Sequence, residues 1–177
     1  MQDKHVVLIG YRATGKTTLA ALLADRLGRR WVDADEVIEE RAGKTIAEIF
    51  AEDGEPVFRD MEEQAIADLC EEKSLVLATG GGAPMRETTR ERLRRAGIVV
   101  YLTAEPETIL ARMTGDTTTA ERRPDLTDKS PLDEIVSLLE KRTPIYREVA
   151  HVTVETEGKT PEALTDEIMM LLETAGD

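Results

Sequence analysis

Cysteine is almost absent from this chain, Cys70 being the only one. No internal disulfide can form, which excludes a secreted, disulfide-stapled scaffold. Cys70 continues a helical pattern with Ile66 and Leu69 and reads as a small buried hydrophobe rather than a nucleophile. Aromatic residues are scarce too, at 3%. That leaves little material for a base-stacking surface, and a core built mostly of Leu, Val, Ile and Ala. Positive charge is in deficit, with 23 Lys and Arg against 36 Asp and Glu and a formal charge of −13. Broad nucleic-acid and anionic-membrane surfaces need clustered cations, so neither partner is expected. Long hydrophobic runs are missing as well. Val6-Val7-Leu8-Ile9 is too short for the apolar region of a signal peptide, and nothing later approaches a membrane span. A cytoplasmic location is therefore expected.

What is present suffices for one domain: 177 residues, 41% of them hydrophobic. Short β-rich runs alternate with helical patterns, as in a parallel α/β sheet. His5 to Ile9 is the clearest strand, apolar throughout, as a strand covered on both faces should be. Leu75 to Ala78 and Ile98 to Leu102 follow suit, with shorter runs at Trp31-Val32 and His151 to Val154. Leu19, Leu22, Leu23 and Leu27 share one helical face that should stop at Gly28. Thr160-Pro161 reads as an N-cap and first helical position, opening a last helix striped with Leu164, Ile168, Leu171 and Leu172. Two stretches break the pattern, from about Thr45 to Met61 and from Gly115 to Pro131. The second is polar and carries Arg122-Arg123-Pro124, which suits either a linker or a mobile cover over a site.

Gly10-Tyr11-Arg12-Ala13-Thr14-Gly15-Lys16-Thr17 fits G-x-x-x-x-G-K-[ST], between the first strand and an amphipathic helix starting at Lys16. Glycines let such a loop wrap so that successive N–H groups point into one concavity, at the positive end of the helix. Lys16 can reach β- and γ-phosphates and the Thr17 hydroxyl can ligate Mg²⁺. A plain strand-to-helix turn is the bland alternative, and this context disfavours it. No Asn-Lys-x-Asp segment of the kind that reads a guanine base occurs.

Further charges could serve an acceptor. Asp33-Ala34-Asp35 follows a short strand, and alternation would point both carboxylates toward the mouth of the loop. One could hold a Mg²⁺-bound water and the other accept a hydroxyl proton, but helix N-capping by Asp35 explains the pattern equally well. Arg59 and Glu62, at i, i+3, fit a solvated ion pair. Thr79-Gly80-Gly81-Gly82 at a strand end suits backbone lying against a small molecule, or a loose turn. Lys141-Arg142-Thr143-Pro144-Ile145-Tyr146 reads as a helix end, where cations are favoured anyway.

Taken together these segments resemble the shikimate kinases from about His5 to Lys159. The loop at Gly10 to Thr17 and Asp-x-Asp at Asp33 and Asp35 belong to the likeness, as do Phe-Arg-x-x-Glu at Phe58, Arg59 and Glu62 and the glycines at Gly80 to Gly82. Arg-Pro-x-Leu at Arg123 to Leu126 and Arg-x-Pro-[LI]-Tyr at Arg142 to Tyr146 complete it. The resemblance implies a P-loop fold of the nucleoside-monophosphate-kinase type, three-layer α/β/α around a five-stranded parallel sheet. It implies one domain over 1–177, with its core at 1–32, 75–112 and 132–177, a substrate-binding region at about 33–62 and a lid at about 115–130.

The implied activity is ATP-dependent phosphorylation of the 3-hydroxyl of shikimate, with Mg²⁺ as cofactor and the chain acting as a monomer. A gluconate or nucleoside-monophosphate kinase, or a non-catalytic module of the same fold, is the rival. By resemblance, Lys16, Asp35 and Arg123 are catalytic, and Ala13, Thr14, Gly15, Lys16, Thr17, Thr18, Arg123 and Lys159 bind nucleotide. Asp35, Arg59, Gly80, Gly81, Gly82 and Arg142 bind the acceptor, while Thr17 and Asp33 take the metal. Arg112 is a second residue expected at the adenine, and Arg122 adjoins the lid arginine. The family often has Gly where this chain has Ala13, a change that costs little unless the position needs φ > 0.

Overall fold

The computed structural model describes residues 4–115 and 130–175. Five strands form one parallel sheet in the order β2-β3-β1-β4-β5: β1 His5–Ile9, β2 Trp31–Asp33, β3 Val76–Ala78, β4 Gly97–Thr103 and β5 Val152–Glu155. The helices between them are α1 Lys16–Leu27, α2 Ala34–Ala42, α3 Ile46–Glu52, α4 Glu55–Cys70, α5 Glu87–Ala96, α6 Pro106–Gly115, α7 Pro131–Val149 and α8 Pro161–Ala175. The expected α/β class and every expected strand are present, with ends moved by a residue or two.

The apolar β1 run is explained by its place at the centre of the sheet. Side chains alternate across a strand. Val6 and Leu8 accordingly pack with Leu19 and Leu23 of α1 and Ile168 and Leu172 of α8. Val7 and Ile9 pack on the other face with Ile66 and Leu69 of α4, Leu93 of α5 and Tyr146 and Val149 of α7. Each face thus has its own helical layer, giving the three layers expected.

The stretch from Thr45 to Met61, read as a break holding only a short helical piece, is helical on both sides of Gly54. Thr45 and Glu48 close a capping box, the Glu48 N–H reaching Thr45 Oγ1 at 3.2 Å and the Thr45 N–H reaching Glu48 Oε2 at 2.7 Å. Gly54, with φ +85°, then turns the chain into α4, whose second residue is Pro56. Ile38, Ile46, Ile49 and Phe58 form a small cluster of their own beside the main core. The helix read as ending near Arg142 runs on to Val149 despite Pro144, so Arg142 lies well inside it. Packing beyond the proline explains the continuation: Tyr146 and Val149 are both buried against the sheet. Cys70 is half-buried, and burial pushes its thiol up to about 11, which fits a packing role.

Candidate active site

In a parallel sheet all strands deliver their carboxyl ends to one edge. Here that edge gathers the loop after β1, the Asp33–Asp35 turn after β2 and the glycine run after β3. One cavity is lined by Arg12, Ala13, Lys16, Thr17, Asp33, Asp35, Glu39, Ile46, Thr79 and Gly81.

The loop is held by its own carbonyls. Thr14 Oγ1 donates to Tyr11 O at 2.8 Å, and Lys16 Nζ donates to Gly10 O at 3.0 Å and Tyr11 O at 2.7 Å. The ammonium therefore lies folded over the loop that would cradle an anion. Gly10 has φ +143°, and a Cβ there would sit 2.5 Å from Leu102 O. Ala13 also adopts the left-handed region, at φ +60°. The condition that makes alanine costly at this position is met.

Asp33 plays the capping role that the sequence reading offered to Asp35. Its Oδ1 accepts the Asp35 N–H at 2.9 Å, and its Oδ2 accepts the Thr17 hydroxyl at 2.7 Å. Asp35, in the first turn of α2, lines the same cavity. The two carboxylates converge through a turn into a helix rather than through strand alternation. Burial, followed by the charge of Asp35, raises the pKa of Asp33, against the opposing pull of the Thr17 hydroxyl. A carboxylate and a hydroxyl 2.7 Å apart, with a second carboxylate crowding the first, make an oxygen-rich corner that a hard divalent cation would relieve.

Arg59 is not a solvated ion-pair partner. Its side chain is 15% exposed and that of Glu62 only 4%, with Nη1 on Glu62 Oε2 at 2.7 Å and Nη2 on Glu55 Oε1 at 3.1 Å. The guanidinium stands over the Phe58 ring, 5.2 Å from its centroid. A Cβ on Gly82 would fall 2.3 Å from Arg59 Nη1. A Cβ on Gly81 would meet Gly10 O at 3.3 Å and Arg142 Nη1 at 3.5 Å. The glycines are thus there for closeness, and the two forks flank them. Neither fork lines the cavity beside Lys16; they meet at the glycine run that bounds it. Tyr146 Oη donates to Gly81 O at 2.5 Å and fixes the run, and burial pushes its phenol up to about 12. Gly80, at the head of the run, accepts the Ala83 N–H through its carbonyl at 3.1 Å. Two guanidinium forks beside bare backbone can grip a planar carboxylate bidentately.

A second cavity opens on the other side of the loop, lined by Ala13, Thr14, Gly15, Thr18, Leu19, Arg112, Thr156, Lys159, Pro161 and Leu164. Arg112 Nη1 donates to Thr156 Oγ1 at 3.1 Å, and Lys159 pairs with Glu167 at 2.7 Å. Ala13 lines both cavities, so the loop divides this recess from the carboxylate corner. Arg122, Arg123 and most of the expected lid lie outside the described residues.

Four lining residues were missed by sequence reasoning. Glu39, in α2, accepts the Ile46 N–H at 3.0 Å and both line the cavity, a pairing across the turn between α2 and α3 that neither helical register signals. Thr79 had been read only as the start of the glycine run, and Arg12 as a variable loop position.

The family model described as shikimate kinase matches residues 12–173. A shikimate kinase from Rhodopirellula baltica is 44% identical over 169 residues, covering 96% of this chain and 90% of that protein. The solved structure of shikimate kinase from Acinetobacter baumannii in complex with shikimate superposes with a TM-score of 0.90 at 40% identity, covering 97% of this chain and 93% of that one. A gluconokinase from Sinorhizobium meliloti shares the fold alone, with a TM-score of 0.56 at 13% identity over 98% of this chain and 95% of that one.

Proposed function

The chain belongs to the shikimate kinase family, and from that premise we propose that its cleft moves the γ-phosphoryl group of ATP onto the 3-hydroxyl of shikimate, giving 3-phosphoshikimate and ADP. The observation that carries the reading is the meeting of two devices at one strand edge. A lysine-bearing phosphate loop stands there beside two carboxylates, and two arginine forks close on a glycine run a few ångströms away.

Phosphoryl transfer asks mainly for positioning and charge neutralisation. ATP lies with its phosphates in the loop formed by Ala13, Thr14, Gly15, Lys16, Thr17 and Thr18, and its adenine in the recess of Arg112 and Lys159. Lys16 leaves its carbonyl partners and turns its ammonium onto the β- and γ-phosphates. Thr17 and Asp33 would hold Mg²⁺, which when bound would neutralise charge on the phosphate oxygens. Arg59 and Arg142 clasp the carboxylate of shikimate, with Gly80, Gly81 and Gly82 against the ring. Asp35 orients the 3-hydroxyl toward the phosphate and takes its proton late in the transfer. Arg123 adds positive charge over the γ-phosphoryl, and exclusion of water from the site would limit hydrolysis. Residues 33–62 form the acceptor side of a single domain. The reading takes the chain to work as a monomer in the cytoplasm, without nucleic-acid or membrane partners.

The test is ADP release by purified protein with ATP and Mg²⁺, comparing shikimate with gluconate and AMP. Turnover is expected with shikimate alone. Turnover with gluconate or AMP and none with shikimate overturns the acceptor assignment, and no turnover with any acceptor supports a non-catalytic module.

A further inference from the structure

One charged pair in the wall of the cleft has no part in the mechanism above. Arg12, in the phosphate loop, reaches Glu134 in the first turn of α7, with Nη2 3.2 Å from Oε1. The Glu134 side chain is 2% exposed and that of Arg12 14%. Desolvating two charges offsets most of their attraction, so an apolar pair of similar size would hold the fold as well. The pair is therefore weak evidence for stability by itself.

Its position offers another account. Arg12 lines the same cavity as Lys16, Thr17, Asp33 and Asp35. Its guanidinium lies 5.8 Å from the centroid of the buried Tyr11 ring, as does that of Arg142. Among the described residues its buried Nε–H meets no acceptor. A guanidinium carries five N–H donors in a fixed fork, and Glu134 sets the direction of that fork while engaging one end of it. Besides Glu134, Arg12 bonds the Tyr11 side chain, and it lines the cavity with Lys16, Asp33 and Asp35, whereas the acid-gripping forks of Arg142 and Arg59 lie against Gly81 and Gly82.

We propose that Arg12, held in place by Glu134, is a further ligand of the transferred phosphoryl group, contacting it on its arrival at the acceptor and leaving the carboxylate to Arg59 and Arg142. The assignment rests on the shikimate reading above. It makes Arg12 a residue that tells phosphorylated from unphosphorylated acceptor, and it gives Glu134 a positioning role.

The test is isothermal titration of shikimate and of 3-phosphoshikimate into wild type, Arg12→Met and the double variant Arg12→Met/Glu134→Met, with kcat and both KM values alongside. The single variant leaves a buried carboxylate without its fork and risks misfolding; the double variant removes both charges. In the double variant the affinity for 3-phosphoshikimate is expected to fall about 10- to 150-fold, the worth of a charge-assisted hydrogen bond. Affinity for shikimate should stay at the wild-type level while kcat drops. Wild-type affinity for 3-phosphoshikimate in the double variant, or equal loss of both ligands, overturns the proposal. A wild-type protein that binds neither compound refutes the shikimate reading instead.

Discussion

Gly82→Ala isolates the acid grip from everything else in the cleft. The backbone at Gly82 has φ −91° and ψ −10°, an ordinary right-handed conformation that alanine adopts without strain. The new Cβ would lie 2.3 Å from Arg59 Nη1, 2.5 Å from Nη2 and 2.6 Å from Cζ. Ordinary contact requires the guanidinium to retreat by about 1 Å, and misplacing a positioning group that far is worth up to ~100-fold. Retreat is possible because the obstacle is the end of a flexible side chain, so the fold should hardly notice. Glu62 and Glu55 would travel with Arg59 or lose it, and in either case the fork no longer faces the acid squarely. A charge-assisted hydrogen bond to a carboxylate is worth about 1.5–3 kcal/mol, or roughly 10- to 150-fold in affinity. Steady-state kinetics should therefore show KM for shikimate rising at least about tenfold. KM for ATP and the melting temperature should stay near wild type. Gly81→Ala, whose Cβ meets nothing closer than 3.3 Å, should be milder. An unchanged KM for shikimate in Gly82→Ala would refute the claim that the glycine is there to admit Arg59.

Three further outcomes follow from the same geometry. Ala13→Gly should stabilise the protein by up to about 1 kcal/mol in urea melts, because relief of a left-handed alanine slightly exceeds the entropy glycine loses; a lower midpoint would contradict the φ argument. Asp35→Asn should cut kcat by about 10²–10⁴-fold with KM for ATP unchanged, and near-normal turnover would remove Asp35 from its role. Asp33→Asn keeps a cap and can still bond Thr17, but loses a carboxylate whose folded-state pKa is raised by burial and by Asp35. A raised carboxylate pKa means the folded state holds its proton more tightly than the unfolded one, so wild-type stability falls as pH climbs from about 3.9 through the raised value. In Mg²⁺-free buffer the variant should therefore melt higher than wild type at neutral pH. The gap should close on acidification below about 4, and a variant that melts lower at neutral pH would refute the crowding.

The elements that were legible are those whose signal is local. β1, the loop and α1 are contiguous, and their apolar run, glycines and lysine carry the strand, wrap and anion site within two dozen residues. The capping box at Thr45 and Glu48 is local too, but with apolar residues on one short face it was taken for an interruption. Asp33 and Asp35 were found as a pair, but the cap was offered to Asp35 and belongs to Asp33, since whether the strand or the helix claims the intervening alanine depends on β2 pairing with β3. The reason for Gly81 and Gly82 was out of reach because it is a distance to Arg142 and Arg59, the latter preceding them by more than twenty residues and the former following by about sixty. Arg12 and Glu134, 122 residues apart, carried no mutual signal at all.

The features that break local rules are concentrated in the cleft. A non-glycine residue sits at φ +60°, two aspartates crowd each other at the head of α2, an ammonium is folded onto the carbonyls of its own loop, and two arginine–glutamate pairs are withdrawn from water. None of these improves a fold whose two apolar layers already enclose the sheet. Each places charge or backbone where a ligand of opposite sign would relieve it: an anion for Lys16 and the forks, a cation for the aspartates. Strain of this kind persists where surrounding packing over-determines it. Here the loop and the glycine run follow β1 and β3 directly, two buried strands paired in parallel register. The cleft is therefore poised before any ligand arrives. On this argument, nucleotide, metal and acid together should stabilise the protein well beyond the effect of the acid alone, because only the full set neutralises every crowded group.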